Sequence, residues 1–76
     1  MSQKIEKGKA YIATHKETKQ TVDILGVNSE LDLVIVGTIP NHIDSLSHYT
    51  KLKPAENLSD EQIAGRDAQF GLNWDN

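Results

Sequence analysis

Few side chains in this sequence could do chemistry: three histidines, eleven acids and no cysteine. The densest run is His42, Asp44 and His48, an H-x-D-x-x-x-H order of imidazole and carboxylate donors of the kind zinc accepts. On a helix those two histidines would be turned about 600° apart, so their rings would point away from each other. No fourth donor lies nearby in sequence, and surface histidines with no metal and no cofactor are expected. His15 beside Thr14, Lys16 and Glu17 has the outline of a nucleophile and base. Neighbours in a strand face opposite ways, however, which separates Thr14 from His15. There is no glycine-rich phosphate loop, no G-x-S-x-G and no paired-carboxylate motif. A body this small also has little volume for a deep pocket. A non-enzymatic role is expected.

Seventy-six residues make one domain, near the size at which a single core only just suffices. Without cysteine, packing alone must hold it, and a reducing, cytoplasmic setting fits. The stretch Met1 to Lys7 is charged and lacks an apolar core, so no secretory leader is expected. The longest apolar run, Leu33 to Val36, is far too short to cross a bilayer, so no membrane association is expected. Charge is unevenly placed. Residues 1–19 hold five lysines against two glutamates, whereas residues 20–76 hold three cations against nine acids. A polyanion would find its contacts only in the first segment, through Lys4, Lys7, Lys9, Lys16 and Lys19 with Tyr11 as a stacking platform.

Apolar alternation runs through residues 10–39. Ala10 to His15 forms a first strand, and the polar run Lys16 to Gln20 a hairpin loop. Thr21 to Val27 forms a second strand, with Val22 and Ile24 on one face and Thr21, Asp23 and Leu25 on the other. Asn28-Ser29-Glu30 suits a turn. In the third strand Leu31, Leu33, Ile35 and Ile39 share a wholly apolar face, while Asp32, Val34, Val36 and Thr38 share a half-apolar one. Gly26 and Gly37 suit bulges or bends. Pro40 ends the strand. Residues 41–52 admit a two-turn helix, or a single turn and a strand Tyr49 to Lys53 stopped by Pro54, and the second is preferred.

The strongest local signal lies near the end. Ser59-Asp60-Glu61-Gln62 fits a capping box, with Leu58 and Ile63 as its hydrophobic staple. A helix should therefore start at Asp60 and stop near Phe70, with Gly71 as its left-handed cap. Ile63, Ala64 and Phe70 make a thin apolar stripe, so this helix must dock on something. The tail beyond it carries the only Trp, and Phe70 before it is the only Phe. Two readings of Phe70 and Trp74 compete: they fold back over an open end of the domain, or they enter a partner's pocket.

The layout of three successive strands, a Gly37-Thr38-Ile39-Pro40 corner, a short turn and a last strand resembles small SH3-like barrels of the KOW and Tudor type over residues 8–54. The resemblance implies four to five antiparallel strands; the residues themselves then give a linker at 55–58, a capped helix at 59–70 and a tail at 71–76. It implies no ligand, because the Tyr- and Trp-lined groove of peptide-binding SH3 domains is missing. The leading expectation is a small acidic protein-binding module or inhibitor, in the manner of phage or mobile-element accessory proteins that block a host factor. Its partner-binding residues would be Asp60, Glu61, Asp67, Phe70, Leu72, Trp74 and Asp75. The alternatives are a nucleic-acid-binding barrel using the N-terminal lysines, and an antitoxin-like protein whose C-terminal tail wraps a partner. An exposed sheet edge would also allow a homodimer.

Overall fold

The computed structural model describes residues 5–76. Five strands form one antiparallel sheet: β1 (Lys9–His15), β2 (Thr21–Asn28), β3 (Leu33–Val36), β4 (His42–Ser45) and β5 (Tyr49–Asn57). Their order across the sheet is β4-β3-β2-β1-β5. A three-residue 3-10 turn (Leu46–His48) joins β4 to β5, and the helix α1 (Asp60–Phe70) follows. The molecule is a small globule with a radius of gyration of 11.3 Å.

The sheet is open, so the closed barrel expected from the sequence is not what these strands build. Its two edges explain why. β4 has only four residues, and the Asp44 carboxylate takes the Ser45 N–H at 2.7 Å, which blunts that edge. β5 carries Pro54, a left-handed Lys51 (φ 56°) and register shifts against β1. Each of these features breaks the regular row of donors and acceptors that a neighbouring strand needs. Pro54 does not stop the last strand, as the sequence suggested. It sits on the edge, where a missing N–H costs nothing, and β5 continues to Asn57, taking in most of the expected linker.

The main core gathers Tyr11, Ala13, Ile24, Val27, Val34, Val36 and Tyr49. Ile24 and Val27 both belong to it although they lie three positions apart. The reason is a bulge: Ile24 pairs with Val36, yet Gly26 pairs with Ile35, which leaves Leu25 as the extra residue. The faces of β3 also differ from the expected ones. Val34 and Val36 face the main core, whereas Leu31 (54% exposed) and Ile39 (102%) lie open to solvent. Ile35 alone of the wholly apolar face is buried, because the strand spans only Leu33–Val36 and its cover is small.

That cover is the C-terminal tail. A Cβ on Gly26 would fall 2.9 Å from Ile35 Cδ1 and 3.0 Å from two carbons of the Trp74 indole, so Ile35 and Trp74 share the space above this glycine. Beyond Ile24, β2 no longer pairs with β1, and the last residues fill the split. Asp75 N–H donates to Val27 O (2.7 Å), and Asn76 Oδ1 accepts from Val27 N–H (3.0 Å). Asn76 Nδ2 donates to both Lys9 O and Leu25 O, bridging the two strands. The helix adds Arg66, which donates to Leu25 O and Asn76 O.

The helix itself forms where its signals lie. Ser59 accepts from Gln62 N–H, the Gln62 side chain accepts from Ser59 N–H, and Gly71 (φ 62°) closes the C-terminus. Ser59→Ala is expected to cost about 1 kcal/mol in urea unfolding. Gly26→Ala is expected to cost about 1–3 kcal/mol by overpacking. Because Trp74 is the only tryptophan, G26A should also move its emission to the red, and an unchanged spectrum would contradict the seat described.

Candidate functional site

Two places bring chemistry together. The first lies where the end of β1 meets the start of β5. The β1–β5 register sets His15 opposite Tyr49, and the 3-10 turn returns His48 to the same corner. Asp44 of β4 is the centre. His48 Nδ1 lies 2.9 Å from Asp44 Oδ1, and the Tyr49 hydroxyl donates to Oδ2 at 2.8 Å. The His15 ring stands edge-on to Tyr49, with centroids 5.0 Å apart, and 6.0 Å from the His48 ring. Its Nδ1 accepts the N–H groups of Glu17 and Thr18, which ties the β1–β2 turn to the cluster.

Burial alone would raise the Asp44 carboxyl. The hydrogen bonds from Tyr49, Ser45 N–H and His48 outweigh it and hold the group below its ordinary value. Tyr49 responds the other way: burial first, then the bond to and charge of Asp44, push its hydroxyl up to about 12. Nearby, Asp32 takes hydrogen bonds from the Ser45 and Ser47 hydroxyls, chiefly Ser45, and is also held low. His15, Asp44 and His48 can each place one donor atom within 4.8 Å of the other two. The sequence argument against His42 and His48 rested on a helix. Residues 42–45 are a strand, His42 turns to Thr38, and His15 from a distant strand stands in its place.

The second place is a groove of about 430 Å³ between β1, β2, β5 and the start of α1. Ile12, Leu25 and Leu58 give it apolar walls, and Asp23 and Glu56 stand in its lining. Neither carboxylate has an ion pair or hydrogen bond among the described residues. Leu25, Leu58 and Gln62 also line an adjoining hollow of about 340 Å³ that runs along α1 to Gln69. Sequence reasoning missed this groove, since its residues come from four separate elements. Leu25 stands in it because of the bulge.

The residues singled out in the sequence are placed as follows. Asp60, Glu61 and Asp67 are exposed on α1, and Asp67 accepts from Arg66 Nε. Phe70 is half-buried edge-on to Trp74, Leu72 is half-buried, and Trp74 is 9% exposed. The Asp75 carboxylate is held by Ser29 N–H and Ser29 Oγ. The tail therefore docks on its own domain. Of the basic set, Lys4 lies outside the described residues. Lys7 and Lys9 lie at one end of β1 and Lys16 and Lys19 beyond the other, about 20 Å away along the strand. Tyr11 is 1% exposed and its hydroxyl accepts Glu6 N–H, so it offers no stacking surface. Among the described residues no helix is long and apolar enough to cross a membrane.

Comparison with protein-family models, curated proteins and solved structures finds no match for this chain.

The Tyr49–Asp44 bond carries a pH signature. Because the folded state raises the Tyr49 value, the stability it confers is complete below pH 10 and lost as pH rises through about 12. Asp44 acts in the opposite range: its contribution is present above pH 3.8 and disappears as pH falls through its depressed value. Thermal midpoints measured across pH should show both losses. Y49F should flatten the alkaline one and D44N the acid one. Identical alkaline curves for Y49F and the parent would refute the assignment.

Proposed function

We propose that this chain is a non-enzymatic protein-binding module whose groove takes a basic, partly apolar segment of a protein partner. The observation that carries this reading is the pair Asp23 and Glu56, two carboxylates without an ion pair or hydrogen bond among the described residues, in a lining whose other members are apolar or uncharged polar residues. A partner's lysine or arginine would meet both charge and a hydrophobic wall for its stem there. Asp60 and Glu61, exposed on the same turn as Gln62, extend the negative field beyond the groove mouth. Asp67 lies further along the helix. The partner-facing surface is thus the groove and the acidic side of α1, with Phe70, Leu72, Trp74 and Asp75 supporting it from the docked tail. An inhibitor would act by covering the basic surface of the protein it holds.

The strand order and the 3-10 turn before β5 favour an SH3-like reading of the architecture, as an open sheet with two unpaired edges. The nucleic-acid alternative is weakened by the split of its lysines between the two ends of β1 and by the burial of Tyr11. The tail-wrapping alternative is weakened by the bonds that hold residues 73–76 to β2.

Selection of displayed random peptides on the folded chain is expected to enrich Lys and Arg over Asp and Glu. An enriched peptide should shift the amide resonances of Ile12, Asp23, Leu25, Glu56 and Gln62. Two exposed charge contacts are each worth about 0.2–1 kcal/mol, so D23N/E56Q should weaken binding by about two- to thirtyfold. Enrichment without charge preference would count against the reading. So would salt-sensitive binding of an oligonucleotide whose shifts fall on Lys7, Lys16 and Lys19.

A further inference from the structure

We infer that the corner formed by His15, Asp44 and His48 is a binding site for a divalent transition metal of the zinc class. The donor set is two imidazoles and one carboxylate, which suits that class and not the all-oxygen preference of calcium or magnesium. Three separate segments supply it, β1, β4 and the 3-10 turn, and the three donor atoms stand within 4.8 Å of one another. Asp44 and His15 are half-buried and His48 is exposed, so the corner is both anchored and open to entry from solvent.

One pair already stands close to the spacing of two ligands. His48 Nδ1 and Asp44 Oδ1 are 2.9 Å apart. Two donors each about 2.0–2.1 Å from one ion lie about 3.3 Å apart at the tetrahedral angle, so this pair needs to open by only about 0.4 Å to hold it. The ion would replace the proton shared by these atoms, and the neutral His48 ring would carry its proton on Nε2. Asp44 Oδ2 would keep the Tyr49 hydroxyl, a supporting bond that orients the carboxylate. The third donor is His15. Its Nδ1 accepts from Glu17 and Thr18 at 3.1 and 3.2 Å, so its ring proton sits on Nε2. For Nε2 to take the ion, that proton must move to Nδ1, and the two turn contacts must open. Metal binding is therefore coupled to the β1–β2 turn, a link that an adventitious surface histidine would not have.

Zn²⁺ titrated into the full chain tests this by calorimetry and amide NMR. A single ion per chain is expected, with the resonances of Glu17 and Thr18 moving along with those of Asp44 and His48. H48A should lower affinity at least tenfold. H15N keeps a local acceptor for the turn while removing Nε2, and should do the same in a folded protein. H42A, which removes the histidine nearest in sequence to Asp44 but outside the corner, should leave affinity unchanged. Absence of saturable binding, equal weakening by H42A, or binding that leaves Glu17 and Thr18 unmoved would each overturn the site.

Discussion

The structure depends on how the split between β1 and β2 is closed. After Ile24 the two strands part, and β2 kinks through a bulge at Leu25-Gly26. Left alone, that region would leave the backbone groups of Lys9, Leu25 and Val27 without the partners the tail supplies and would open Ile35 to water. The tail answers both problems together. Trp74 lies over the glycine that has no side chain to oppose it, and the Asn76 amide supplies what a neighbouring strand would have supplied. Arg66 depends on the same closure. It is 8% exposed, and its charge is tolerated because Leu25 O, Asn76 O and Asp67 surround it.

Much of this was legible in the residues where the governing interactions are local. The capping box at Ser59 to Gln62 and the left-handed Gly71 are short-range devices, and the helix begins and ends where they place it. Gly26 marked its bulge for the same reason. What alternation could not convey was which apolar face of β3 would be covered. Ile35 and Ile39 look equivalent in the sequence, yet only Ile35 has Trp74 beside it, and that depends on a residue 39 positions later. β4 was missed because His42–Ser45 is brief and only one of its residues, Ile43, is strongly apolar.

The candidate sites were less legible, because both are products of register. His15 meets His48 only because β1 and β5 pair at His15–Tyr49, and no spacing rule joins positions so far apart. The groove likewise draws its apolar walls and its two acids from four elements. The two sites also differ in kind. At the corner, charge is satisfied internally: Asp44 is surrounded by donors, and the structure there is stiffened by them. In the groove, Asp23 and Glu56 are left without partners among the described residues. Charge is thus paired within the fold at the corner and left without a partner, among the described residues, in the groove.

The Asn76 bridge also says something about how the chain reaches this state. It joins Lys9 to a residue 67 positions later, and β1 finds its second strand neighbour in β5, far along the chain. Closing such long loops costs entropy before any contact repays it. The β1–β2 hairpin can form early, but the seat over Gly26 stays vacant until the final residues arrive. The contacts that complete the fold are thus long-range ones, joining segments near the two ends of the described chain.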